Sequence, residues 1–156
     1  MNCAPILWAV QLSRRRWCVP LWNMATIQRL RPPGLVSSPA FSHVAVVPPG
    51  ATTIYIGGQN SVDEHGAIVG ADDVAAQSVR ALANTKTALA SVGATIDDVV
   101  QWTILFVDGV DLGAAYGAVA ADLASETPGL VTTARVAGLG VPGALVEIGA
   151  IAAVLR

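Results

Sequence analysis

Apolar and small residues recur at helical spacing in one stretch of the chain, where Val74, Ser78, Ala81, Leu82, Thr85, Ala88, Leu89 and Val92 share a stripe. Asp72 and Asp73 ahead of it supply an N-cap and an acidic first turn, and Gly93 suits the C′ position, so the spacing predicts a helix. A second stripe of Leu112, Ala115, Tyr116, Val119 and Leu123 follows Asp111 as its cap and is ended by Pro128. Elsewhere the apolar segments lack that period. VVQWTILFV (99–107) is a near-continuous apolar run and reads as a central strand buried on both faces. Residues 41–47 and TIYI (53–56) are short β candidates separated by Pro48-Pro49-Gly50, and together they predict an antiparallel hairpin ending in GGQN (57–60). Residues 130–137 and 145–155 read as two further strands across a Gly/Pro connection. Residues 24–40, with Pro-Pro-Gly and Ser-Ser-Pro, read as an extended lead-in, and 61–70 as a turn-rich connection.

The resulting order is β-β-α-β-α-β-β, an α+β domain with two helices on one face of a mixed sheet. That leaves the other sheet face uncovered. The last strand, LVEIGAIAAV, is apolar on both faces, so a symmetric oligomer is the economical way to bury the second one.

Composition points the same way. The chain has 156 residues, 53% hydrophobic and only 13% charged, against roughly 25% charged in an average soluble domain. No apolar run approaches the ~18 to 20 residues that span a bilayer, and no membrane partner is expected. Arg14, Arg15 and Arg16 precede Met24; from Met24 onward six basic residues face eleven acidic ones, leaving −5. An acidic domain without a basic patch is a poor fit for a phosphate backbone, so no nucleic-acid partner is expected. Both cysteines, Cys3 and Cys18, also precede Met24, which excludes disulfides, thiolate metal sites and cysteine nucleophiles from the rest. In residues 1–23 the apolar stretch comes before the arginines, the reverse of a signal peptide, and the segment reads as a disordered or non-native extension. A cytoplasmic location is the default reading.

Several words carry a resemblance: SPAFSH (38–43), IYIGGQN (54–60), Q-x-x-x-A-L-x-N (Gln77, Ala81, Leu82, Asn84), the strand opening at Asp98-Val-Val, and GLGVPGALVEIGAIA (138–152). In these the domain from about 36 to 156, preceded by a lead-in over 24–35, resembles the RidA (YjgF/YER057c) family, also labelled endoribonuclease L-PSP. The resemblance implies a chorismate mutase-like homotrimer. Three sheets then pack into a central barrel, with small-molecule clefts between subunits and no cofactor. It also implies hydrolysis of reactive enamines and imines, with release of ammonia.

Deaminase-type members place a carboxylate-binding arginine in a P-x-R-[ST] word, where its rigid fork suits a carboxylate. Counting back from Leu139 puts Val131 at that position, followed by Thr132. The expected substrate is therefore altered, held by backbone amides near Val131 and Thr132. Arg135 lies on the same strand face but ~13 Å further along, at ~3.3 Å per residue, and serves either as a substitute anchor or in a surface ion pair. Glu147 matches the family glutamate in an otherwise apolar strand, a setting that suits a carboxylate to moving a proton. The competing role for Glu147 is a hydrogen bond across the subunit interface. Phe41 stands where tyrosine is frequent, Gly57 where serine is, with Gly58 and Gln59 completing that word, and Gly117 where asparagine is. His43 lies near the expected cleft. It and His65 are the only histidines, without metal-ligand spacing, so no metal is expected. The resemblance also offers two other readings: a trimeric ligand-binding protein without deaminase activity, and a ribonuclease. The acidic charge and the lack of a histidine cluster argue against the ribonuclease.

Overall fold

Residues 26–155 are described by the computed structural model, so the extension read over 1–23 lies outside the described residues. Helix α1 (Val74–Ala90) begins where the Asp73 carboxylate accepts hydrogen bonds from the N–H groups of Ala75 and Ala76 at 2.9 and 3.0 Å. Helix α2 (Leu112–Leu123) is capped in the same way by Asp111, which accepts from Gly113 and Ala114. Asp72 caps nothing and sits at φ 59° in the turn ahead of α1. Six strands among the described residues complete the fold: β1 (Gln28–Leu30), β2 (Val44–Val46), β3 (Thr52–Asn60), β4 (Val99–Val107), β5 (Leu130–Val136) and β6 (Val146–Val154).

The main sheet has the order β3-β6-β4-β5. β6 runs antiparallel to both β3 and β4, while β5 is parallel to β4 and forms an edge. This is the α+β arrangement the pattern predicts. The core forms where Ala81, Leu82 and Leu89 of α1 and Ala115 and Val119 of α2 meet Trp102, Ile104, Phe106, Val146 and Ile148 of the sheet.

Two expectations are corrected. β2 does not form a hairpin with β3; it pairs with β1, in the register Gln28↔Val46 to Leu30↔Val44. Pro48 and Pro49 end β2 by removing two backbone donors, and β3 takes β6 as its partner from Thr52↔Val154 to Asn60↔Glu147. Part of the lead-in is thus a paired strand. β4, in turn, is buried on one face within the chain: Trp102, Ile104 and Phe106 are covered by the helices, while Thr103 between them is exposed.

Arg29 fastens the β1–β2 ribbon to the sheet. Its Nη2 donates to the carbonyls of Asp97 and Val99, both at 2.8 Å. Partial burial pulls its pKa down, against the upward pull of Asp98 and Asp97. Replacing Arg29 with alanine strips two carbonyls of a charged donor and is expected to cost about 2 kcal/mol. Urea unfolding checks this; a loss below about 0.5 kcal/mol, the scale of an ordinary surface change, would remove Arg29 as a fastener.

Candidate functional site

Amide side chains from α1 hold the segments that carry the expected site. Gln77 is fully buried; it donates to Gly143 O at 3.0 Å and accepts from Leu145 N–H at 2.8 Å, fixing the approach to β6. Asn84 donates to the carbonyls of Asn60 and Val62, both at 2.9 Å, and Asn60 donates to Val146 O at 3.0 Å. The Q-x-x-x-A-L-x-N word is therefore a clamp that joins the end of β3 to the start of β6, where Glu147 sits.

Between these fixed ends β3 bulges. Ile56 pairs with Ala150 and Gln59 with Ile148, so Gly57 and Gly58 together face the single residue Gly149. The Glu147 side chain lies against the bulge: a Cβ built at Gly58 would overlap the carboxylate and come within 2.7 Å of Cγ. Glycine at 58 is thus what gives Glu147 its room. Gly58→Ala is expected to cost about 0.5–1.5 kcal/mol as the Glu147 side chain is pushed from its rotamer, and to cost almost nothing in a Glu147→Ala background. A double-mutant cycle in urea measures that difference, and equal costs in the two backgrounds would disprove the contact.

Glu147 and Gly58 line a shallow concavity on the open sheet face, together with Tyr55, Thr103, Leu105 and Ile151. Tyr55 is 77% exposed there. The Glu147 carboxylate has no hydrogen-bond or ion-pair partner among the described residues.

The other expected residues divide between this face and the opposite one. Val131 pairs with Trp102, whose side chain lies under the helices, so Val131 points to the helix side; Glu147 pairs with Leu105 on the open side. Within one chain the two do not converge. Val131 and Phe41 instead line the mouth of a cavity of about 250 Å³ between α2 and the sheet. Phe41 is brought there because Ser42 N–H donates to Gly129 O at 3.1 Å, laying the SPAFSH segment along the start of β5. Thr132 pairs with Thr103 and is exposed.

Four further expected residues touch neither space. His43 Nε2 donates to Val36 O at 2.8 Å and its ring packs edge-on against Phe41, so it braces the segment. Gln59 turns back to donate to Gly57 O at 3.1 Å across the bulge. Gly117 is exposed on α2. Arg135 donates to Val110 O at 3.2 Å, away from both spaces. Among the described residues no group of three His, Cys, Asp or Glu side chains could hold a metal ion, and no helix is long and apolar enough to cross a membrane. Sequence reasoning missed the cavity interior, although the Gly- and Ala-rich α2 opposite Trp102 and Phe106 was the available signal.

A mixed four-stranded sheet carrying two helices on one face, with a glycine bulge beside a strand glutamate, defines a small α+β domain of the YjgF type. The model of the family described as Endoribonuclease L-PSP matches residues 33–154. The chain belongs to that family, known also as Rid or YjgF. No curated protein matches the chain. Among solved structures, a protein of unknown function of the conserved Rid family, YyfB from Yersinia pestis, is 29% identical with a TM-score of 0.71, over 82% of this chain and 98% of its own. A Mycobacterium tuberculosis member of the YjgF/YER057c/UK114 family is 29% identical with a TM-score of 0.56, over 72% and 86%. The Escherichia coli YjgF gene product is 26% identical with a TM-score of 0.57, over 66% and 84%.

Proposed function

We propose that the protein is a homotrimeric hydrolase of small, uncharged enamines or imines, releasing ammonia without a carboxylate clamp. One observation carries this reading: among the described residues, neither of the two spaces that hold the candidate residues is lined by an arginine, lysine or histidine, and Glu147 is their only carboxylate. On these linings a carboxylate-bearing substrate meets no cation; Arg31, beside the mouth, donates to Phe41 O at 3.4 Å. A neutral imine needs only a group that moves a proton. Glu147 takes a proton from water as the oxygen bonds to the imine carbon and gives it to nitrogen, forming a carbinolamine. It then takes the hydroxyl proton and passes it to the amino group as the C–N bond breaks, leaving a carbonyl compound and ammonia.

The trimer supplies what one chain separates. The Phe41–Val131 mouth lies on one sheet face and the Gly58–Glu147 concavity on the other, so a ligand touching both requires two copies. The open face, with Tyr55, Leu105 and Ile151, is an apolar surface that a symmetric neighbour would bury.

The test is ammonia release by the purified protein from 2-aminoacrylate and from the N-unsubstituted imine of an uncharged aldehyde. Faster turnover of the neutral imine is expected. Equal or faster turnover of 2-aminoacrylate would refute the missing clamp. Release at the uncatalysed rate from both would leave a ligand-binding protein without deaminase activity. Light scattering that gives a monomer would refute the shared cleft.

A further inference from the structure

The space beneath α2 is unusual for a protein interior. Interiors pack as densely as organic crystals and hold few voids larger than a water molecule, yet this cavity measures about 250 Å³. Its cause is in the sequence. The two buried positions of α2 are Ala115 and Val119, so the middle of the helix offers only short side chains towards Trp102, Ile104 and Phe106, while Leu112 and Leu123 line the cavity from the helix ends.

The lining decides what could fill it. Among the described residues no charged side chain lines the cavity. Of its hydroxyls, the one deep in the core, Ser78, already donates to Val74 O at 2.7 Å. A water inside would find too few partners, since a buried water makes about three hydrogen bonds. An apolar cavity of roughly 150 Å³ stays dry and accepts benzene, and this one is larger. At the mouth the chemistry changes. Tyr116 is 47% and Val131 40% exposed, and the hydroxyls of Tyr116 and Thr133 have no hydrogen-bond partner among the described residues.

We infer that this cavity is a binding site for one neutral, mainly apolar ring compound, its ring inside α2 and a single oxygen or nitrogen at the Tyr116–Thr133 rim. The mouth shares Phe41 and Val131 with the proposed cleft, but the interior belongs to a single copy and needs neither Glu147 nor a neighbour.

The experiment titrates the full chain with p-cresol and, separately, with 4-methylbenzoate, which keeps the shape but adds a charge, following backbone amide shifts by NMR and affinity by calorimetry. Saturable p-cresol binding is expected, with shifts centred on α2 and β4. The benzoate should bind at least about tenfold more weakly, because burying an unpaired carboxylate is costly. Ala115→Leu fills the cavity from α2 and should weaken p-cresol binding at least about tenfold while leaving the melting temperature unchanged or higher. If that variant fails to fold, Val119→Phe fills the same space one turn on and carries the same requirement. Absence of saturable p-cresol binding, equal affinity for the benzoate, or full affinity in the filled variant would each overturn the site. Binding should persist in Glu147→Gln, so this site and the hydrolase reading fail separately.

Discussion

Gln77→Leu is expected to lower the unfolding free energy by about 3 kcal/mol. The side chain is fully buried and both ends of its amide are used, Nε2 on Gly143 O at 3.0 Å and Oε1 on Leu145 N–H at 2.8 Å. Leucine has similar bulk and adds apolar burial, but it leaves a buried carbonyl and a buried N–H facing carbon. Each orphaned group costs about 1–3 kcal/mol, and the added burial returns only part of that. The site should feel the loss as well. Leu145 leads directly into Val146 and Glu147, so a loosened Gln77 clamp lets the start of β6 shift against the bulge at Gly58. Urea unfolding measures the stability term; a loss below about 1 kcal/mol would mean that the two backbone groups have found other partners.

The clamp shows where sequence reading ends. Gln77 and Asn84 stood out in the sequence as part of a word that carries the family resemblance. Their partners lie 66 and 24 residues away, across loops with no periodicity, so their task was not legible. The helices were legible because their information is local: Asp73 and Asp111 cap the turns that immediately follow them. Strand existence was legible for the same reason, while strand partnership was not. The β propensity of residues 41–47 and 53–56 says nothing about whether they pair with each other, and the nine-residue β6 outcompetes the three-residue β2 for β3.

The candidate site depended on register. Val131 and Glu147 were each placed on strands correctly, but the face each presents is set through β4. Val131 pairs with Trp102 and Glu147 with Leu105, three residues apart on one strand, and an odd separation puts them on opposite faces. No local pattern encodes that parity. The same parity favours a cleft shared by two copies, since it separates residues that a single-chain site would have to unite.

Glu147→Gln is expected to lower imine hydrolysis on the order of 10²–10⁴-fold, the usual contribution of a positioned acid or base. The substitution is chosen for what it keeps. Glutamine has the same length, fits the same room beside Gly58 and still accepts a hydrogen bond, but it cannot take a proton from water. Stability should hardly change, because the carboxylate has no hydrogen-bond or ion-pair partner among the described residues. The competing role, a hydrogen bond across the subunit interface, gives a different pattern. There the glutamine amide would still bond, activity would survive, and only Glu147→Ala would weaken the trimer in light scattering. A catalytic Glu147 predicts that the loss appears in kcat with little change in KM, and that the trimer is intact in both variants. A glutamine variant that turns over imine at the parental rate would end the catalytic assignment, and the clear space beside Gly58 would then have to be explained by assembly.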